Sequence, residues 1–114
     1  MTRAILARMG KPISIPAQAR TLDRSWDARD LVTANDSVLR LVRMEGAYDW
    51  HRHEEDQLFI CWEGTFRVEM AEESPMELGT GDIAVVPSGV PHRIIAIGVA
   101  YALMSIGRHT VAPA

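Results

Sequence analysis

The chain has 114 residues, 47 % of them hydrophobic, which is room for one packed domain and too little for two. Twelve basic residues against fifteen acidic ones give a formal charge of −3, spread along the chain, so nothing suggests a nucleic-acid partner. No apolar run is long enough to cross a bilayer, and no membrane partner is expected.

Residues 1–30 read as an N-terminal arm. The first twenty hold Arg3, Arg8, Lys11 and Arg20 and no acid, the charge pattern of a transit peptide. Pro12 and Pro16 interrupt any long amphipathic helix, however, and a secretory signal would need a continuous apolar core. A plain arm is the better reading, with Ile13–Ile15 as a strand able to add to a partner sheet and a short helix around Ser25–Asp30. Residues 31–106 then read as strands separated by turn chemistry. Asn35-Asp36-Ser37 makes a turn, Val38–Met44 a strand, and Gly46 breaks it before a histidine-bearing strand. Leu58–Trp62 is a mostly apolar strand ended by Glu63-Gly64, and Thr65–Met70 alternates polar with apolar. Glu72–Pro75 is a polar loop. Ile83–Val86 and Arg93–Ile97 flank a Pro87–Pro91 turn, and Val99–Ile106 closes the set. Residues 107–114 are a tail, and its His109 is given no role. The pattern is all-β, two sheets closing on one core. Cys61, the only cysteine, cannot form an internal disulfide, so a reducing, cytoplasmic setting is expected. Eleven of the twelve basic residues are Arg, a bias that hints at a GC-rich bacterial source.

Three of the four histidines fall in two short motifs. In Trp50-His51-Arg52-His53 the spacing of two puts both rings on one face of a strand, whereas a helix would splay them about 200° apart. Two imidazoles converging from one strand supply half of a four-ligand metal sphere. His92 closes Pro87-Ser88-Gly89-Val90-Pro91-His92, a stiff turn that delivers a third ring to a set place. Trp50 and Arg52 alternate with the histidines and should face away, as should Arg93 beside His92.

These motifs resemble those of a small single-domain cupin. The family's first motif is Gly, five residues, His-x-His, three or four residues, Glu, six residues, Gly. The chain reads Gly46, four residues, His51-Arg52-His53, three residues, Gln57, six residues, Gly64. The second is Gly, five residues, Pro-x-Gly, two residues, His, which Gly81, Pro87, Gly89 and His92 match without a gap. The resemblance covers about Asp30 to Met104. It implies a double-stranded β-helix, a jelly-roll barrel of two antiparallel sheets, but no particular reaction, since cupins carry many.

The resemblance also implies a metal site at His51, His53, Gln57 and His92, holding one divalent transition metal per chain (Fe, Mn, Zn or Ni). Gln57 stands where the family usually has a carboxylate ligand. A neutral amide there either leaves the ion its full charge, with weaker affinity and stronger Lewis acidity, or marks a degraded site. Period-two alternation puts Phe59 and Cys61 on the face of Gln57, as pocket-lining residues or as plain core. Glu54-Glu55-Asp56 reads as a solvated acidic turn at the barrel mouth. The expected function is a mononuclear metalloenzyme, a dioxygenase, isomerase or lyase acting on a small polar molecule, with its catalytic groups unassigned. The alternative is a non-catalytic module that binds a small ligand. A homodimer is expected, through the N-terminal arm and the outward Ile60 and Trp62.

Overall fold

The computed structural model of the chain describes residues 10–107, so Arg3, Arg8 and His109 lie outside the described residues. Alternation in Val38–Met44 sends Val38, Val42 and Met44 into one buried cluster, and Leu39 and Leu41 against another on the opposite face. A strand apolar on both faces must be covered on both, and this requirement organises the molecule. The inner cluster fills an antiparallel barrel of β1 (Asp27–Ala34), β2 (Ser37–His51), β3 (Gln57–Glu63), β4 (Thr65–Met70), β5 (Met76–Gly79), β6 (Ile83–Val86) and β7 (His92–Gly107). The outer cluster is covered by the segment of α1 (Ile15–Ala19), through Ile15, Ala19 and Leu22.

β7 is the strand both sheets share. β2 runs along it from Ser37 opposite Gly107 to His51 opposite His92. On its other side β4 pairs the first part, Met70 with His92 and Arg67 with Ile95, while β3 pairs the last, Cys61 with Ala102 and Leu58 with Ser105. β1 lies outside β2, β6 outside β3, and β5 outside β4. This is the all-β jelly roll expected from the sequence.

The changeover on β7 is a bulge. Met44 pairs with Ala100 and Gly46 with Ala96, so Ile97-Gly98-Val99 bows out and leaves Ile97 98 % exposed. Arg93–Ile97 and Val99–Ile106 are therefore one strand, and Val38–Met44 is continuous with the histidine strand. Gly46, at φ 83°, bends β2 without ending it. The β3–β4 turn crosses the bulge at Gly64, where φ is 88° and a Cβ would stand 2.8 Å from the Val99 carbonyl oxygen. Gly64→Ala combines that contact with a left-handed backbone and should destabilise the fold by about 1–3 kcal/mol, read from the urea midpoint.

Two assignments near the N-terminus are corrected. Residues 25–30 form no helix, since β1 starts at Asp27 and pairs Asp27 with Arg43 and Ala28 with Val42. Pairing satisfies a β2 edge that a short helix would leave bare, and this tertiary gain outweighs local propensity. β1 also spans the 30/31 division between arm and barrel. Ile13–Ile15 is not a strand either: Ser14 caps α1, its Oγ accepting from Ala17 N at 3.2 Å, and Pro16 sits in the first turn. Ile60 and Trp62, expected to meet a partner, pack instead in the outer cluster with Ala19, Leu22, Leu41 and Leu103.

Candidate metal centre

Antiparallel register makes the site. His51 ends β2 and His92 begins β7, and the two are register partners although forty-one positions separate them. His53 follows two residues past the end of β2. The ring centroids lie 4.4 Å apart for His51–His92, 4.9 Å for His51–His53 and 5.7 Å for His53–His92. One ring nitrogen from each lies within 4.8 Å of the others. Zinc–imidazole bonds are about 2.0–2.1 Å, so donors on one ion stand about 3–3.5 Å apart. The rings need only a small inward movement to share an ion.

The two segments that carry these rings are tied together. Gly89 N donates to the His53 carbonyl at 2.8 Å, Ser88 Oγ to the Glu54 carbonyl at 2.5 Å, and Ser88 N to Asp56 Oδ1 at 2.8 Å. Asp56 is thus not simply a solvated acid, because it anchors the turn that leads to His92. The Pro87–Pro91 turn carries Gly89 at φ 78°, a left-handed backbone that glycine adopts without strain.

Backbone carbonyls set the tautomers. His51 Nδ1–H donates to Asp49 O at 2.7 Å, and His92 Nδ1–H donates to Val90 O at 2.9 Å. Each bond places the acceptor lone pair on Nε2, the arrangement found in metal-binding histidines. Gln57 is buried, its Oε1 3.2 Å from His92 Nε2 and its Nε2 3.8 Å from Met104 Sδ. At that spacing the imidazole nitrogen and the amide oxygen can both bind one cation. The donor set and its surroundings fit a divalent ion, with three imidazoles and an amide oxygen able to hold it.

Phe59 stands edge-on to His92 with centroids 6.4 Å apart. Cys61 turns to the Gly64 carbonyl at 3.2 Å. Burial, and secondarily the charge of Asp82, push its thiol pKa up, which keeps it protonated and a poor ligand. Trp50 packs outside on the Arg93 guanidinium at 5.4 Å, and Arg93 bonds Glu69 at 2.7 Å, so both face away from the rings as expected. Sequence reasoning missed Tyr48, whose ring meets His51 at 5.2 Å. Positions 48 and 51 have opposite parity, and only the register shift between them brings both rings to one side. It also missed Ser88, although the Pro-Ser-Gly turn that carries it was visible. A cavity of about 510 Å³ opens beside the site, lined by Arg52, His53, Glu54, Ser88 and Gly89.

Comparison with known proteins agrees with this fold. The cupin domain family (Cupin_2) matches residues 40–106. An uncharacterized protein of Bacillus subtilis, YdbB, is 37 % identical over 60 residues, covering 52 % of this chain and 53 % of its own length. The chain thus matches about half the length of that relative. A cupin-2 domain containing protein from Shewanella frigidimarina is 28 % identical, with a TM-score of 0.80 over 84 % of this chain and 94 % of that one. Hydroquinone 1,2-dioxygenase from Sphingomonas sp. TTNP3, with 4-hydroxybenzoate bound, shares the fold at 14 % identity. Its TM-score is 0.75 over 97 % of this chain and 87 % of the enzyme.

Proposed function

The chain belongs to the cupin domain family, and from that premise we propose that it holds one divalent transition metal through His51, His53 and His92. Gln57 Oε1 is the neutral fourth donor, and a small polar molecule enters from the cavity beside Ser88. The observation that carries this reading is the convergence of three imidazoles, two of them with Nε2 set as acceptor by backbone carbonyls. When bound, the metal supplies Lewis acidity or redox chemistry. The chain's own part is to orient the donors, through Asp49 and Val90 and through the Ser88 ties, and to keep Phe59 packed against His92. Because Gln57 adds no charge, the donor set by itself leaves a bound ion its full charge. Dioxygenase, isomerase and lyase chemistry all suit such a site, and a dioxygenase of the same fold supports keeping the first among them.

Elemental analysis of untagged protein supplied with iron, manganese, zinc and nickel tests the proposal. About one ion per chain is expected, and iron or manganese would select oxygen chemistry. A small fraction of an ion under excess metal overturns it and leaves a barrel that binds a small ligand unaided. Gln57→Glu restores a carboxylate at nearly unchanged volume and should tighten metal binding about tenfold, ~1.4 kcal/mol. Gln57→Ala should weaken it modestly, since a neutral amide oxygen is the weakest donor of the four. Competition titrations in which neither change moves the affinity would remove Gln57 from the donor set.

We place the protein in the cytoplasm as a homodimer. The protonated, buried thiol of Cys61 is consistent with a reducing compartment, and among the described residues no helix is long and apolar enough to cross a membrane. The dimer contact moves from Ile60 and Trp62 to the edge strand β6, where Ile83 and Val85 are exposed. Light scattering should give twice the mass of one chain, and Val85→Lys should halve it.

A further inference from the structure

We propose that the Glu55 carboxylate supplies the negative charge that the donor set lacks, and that Gly107 carries no side chain so that this carboxylate can sit beside the centre. The inference rests on the metal reading above. Three neutral imidazoles and an amide leave a divalent ion uncompensated, which is costly where water is partly excluded. Glu55 lies on the bend between His53 and Gln57 and lines a narrow cleft with both of them, together with Asp56, Ile106 and Gly107. A Cβ at position 107 would collide with its Cδ and both carboxylate oxygens, so a side chain there would displace Glu55 from this position.

Asp56 lines the same cleft and keeps its own charge, and only Glu55 lies against Gly107. Asp56 accepts from Ser88 N, and Glu54 lines the cavity on the other side of His53. Glu55 is not in the histidine group whose donor atoms lie within 4.8 Å of one another, so it acts across space and not as a fourth ligand. Its effect is Coulombic, long enough in range to be screened by salt. This separates the two duties that a ligating carboxylate would combine. Gln57 occupies the coordination position without charge, and Glu55 brings the charge from outside it.

Co²⁺ titration of the full chain, followed by the visible absorption of the bound ion, tests the proposal on the wild type, Glu55→Gln, Gly107→Ala and the double variant. Glu55→Gln keeps the shape of an exposed side chain and should weaken Co²⁺ binding about tenfold at low salt, ~1.4 kcal/mol, with less effect at high salt. Gly107→Ala should weaken it comparably by displacing the carboxylate, and should add nothing once Glu55 is Gln. Glu55→Gln with unchanged affinity, on a chain that binds Co²⁺, overturns this inference alone. So does Gly107→Ala acting equally in both backgrounds. A wild-type chain that takes up no Co²⁺ overturns the metal reading and this inference with it.

Discussion

Protein carrying His92→Ala is expected to bind a divalent metal about a thousandfold more weakly than the wild type, ~4 kcal/mol. His92 is the donor best held in place. It is 1 % exposed, its tautomer is set by Val90, and its ring packs against Phe59 and the ring of His51. Such a donor has lost its rotational freedom before the ion arrives, so its removal forfeits most of the site's preorganisation. Water cannot substitute well in a buried position that offers it few other partners. Gln57→Ala should cost much less, because a neutral amide oxygen is a weaker donor than an imidazole nitrogen. Co²⁺ titration reads the affinity, and far-UV circular dichroism confirms that the barrel persists. His92→Ala with wild-type affinity would show that His51 and His53 bind alone, and the three-histidine centre would be wrong.

The largest stability effect is expected at Asp30. Arg40 shares the inward face of β2 with Val38, Val42 and Met44, which places a guanidinium inside the barrel at 2 % exposure. Asp30, its register partner on β1, is 7 % exposed and accepts from Arg40 Nε at 2.5 Å. Asp30→Ala removes a buried counter-charge from that cation and should destabilise the fold by about 3–5 kcal/mol. Against a total of about 5–15 kcal/mol for a domain this size, that is a large share. Replacing both partners, as in Asp30→Leu with Arg40→Met, should recover much of the loss, because the desolvation cost disappears with the charges. Urea denaturation of the three proteins decides the matter. A loss below about 1 kcal/mol for Asp30→Ala would mean that water or another acid reaches Arg40.

Much of the site was legible because its signals are local. A spacing of two decides the face of a strand, so His51 and His53 could be paired without coordinates. A Pro-x-Gly turn ahead of His92 could be seen to hold a ring in place. Period-two alternation assigned Trp50 and Arg93 to the outside, where they stack on each other. Turn residues marked the strands from Leu58 to Met70 nearly to the residue. The same local reasoning failed where a glycine has two possible meanings. Gly46 and Gly98 looked like strand ends, yet both lie at bulges within continuous strands, because each strand still has a full ladder to pair with on either side. Residues 27–30 failed for a related reason. Asp27, Ala28, Arg29 and Asp30 carry no strand preference of their own, and only the edge of β2 recruits them.

The sequence by itself determined the class of fold, the strand that carries two histidines and the turn that carries the third, since alternation and turn chemistry act over a few residues. Only the tertiary structure decided that His51 meets His92, because register between strands so far apart in the chain depends on bulges at Gly46 and residues 97–99. A separate shift between Tyr48 and His51 brings those two rings together, and the packed fold also ties Ser88 to Asp56 and sets Glu55 against Gly107. Such contacts are set by the summed pairing and packing of the whole barrel, and no window of a few residues contains that sum.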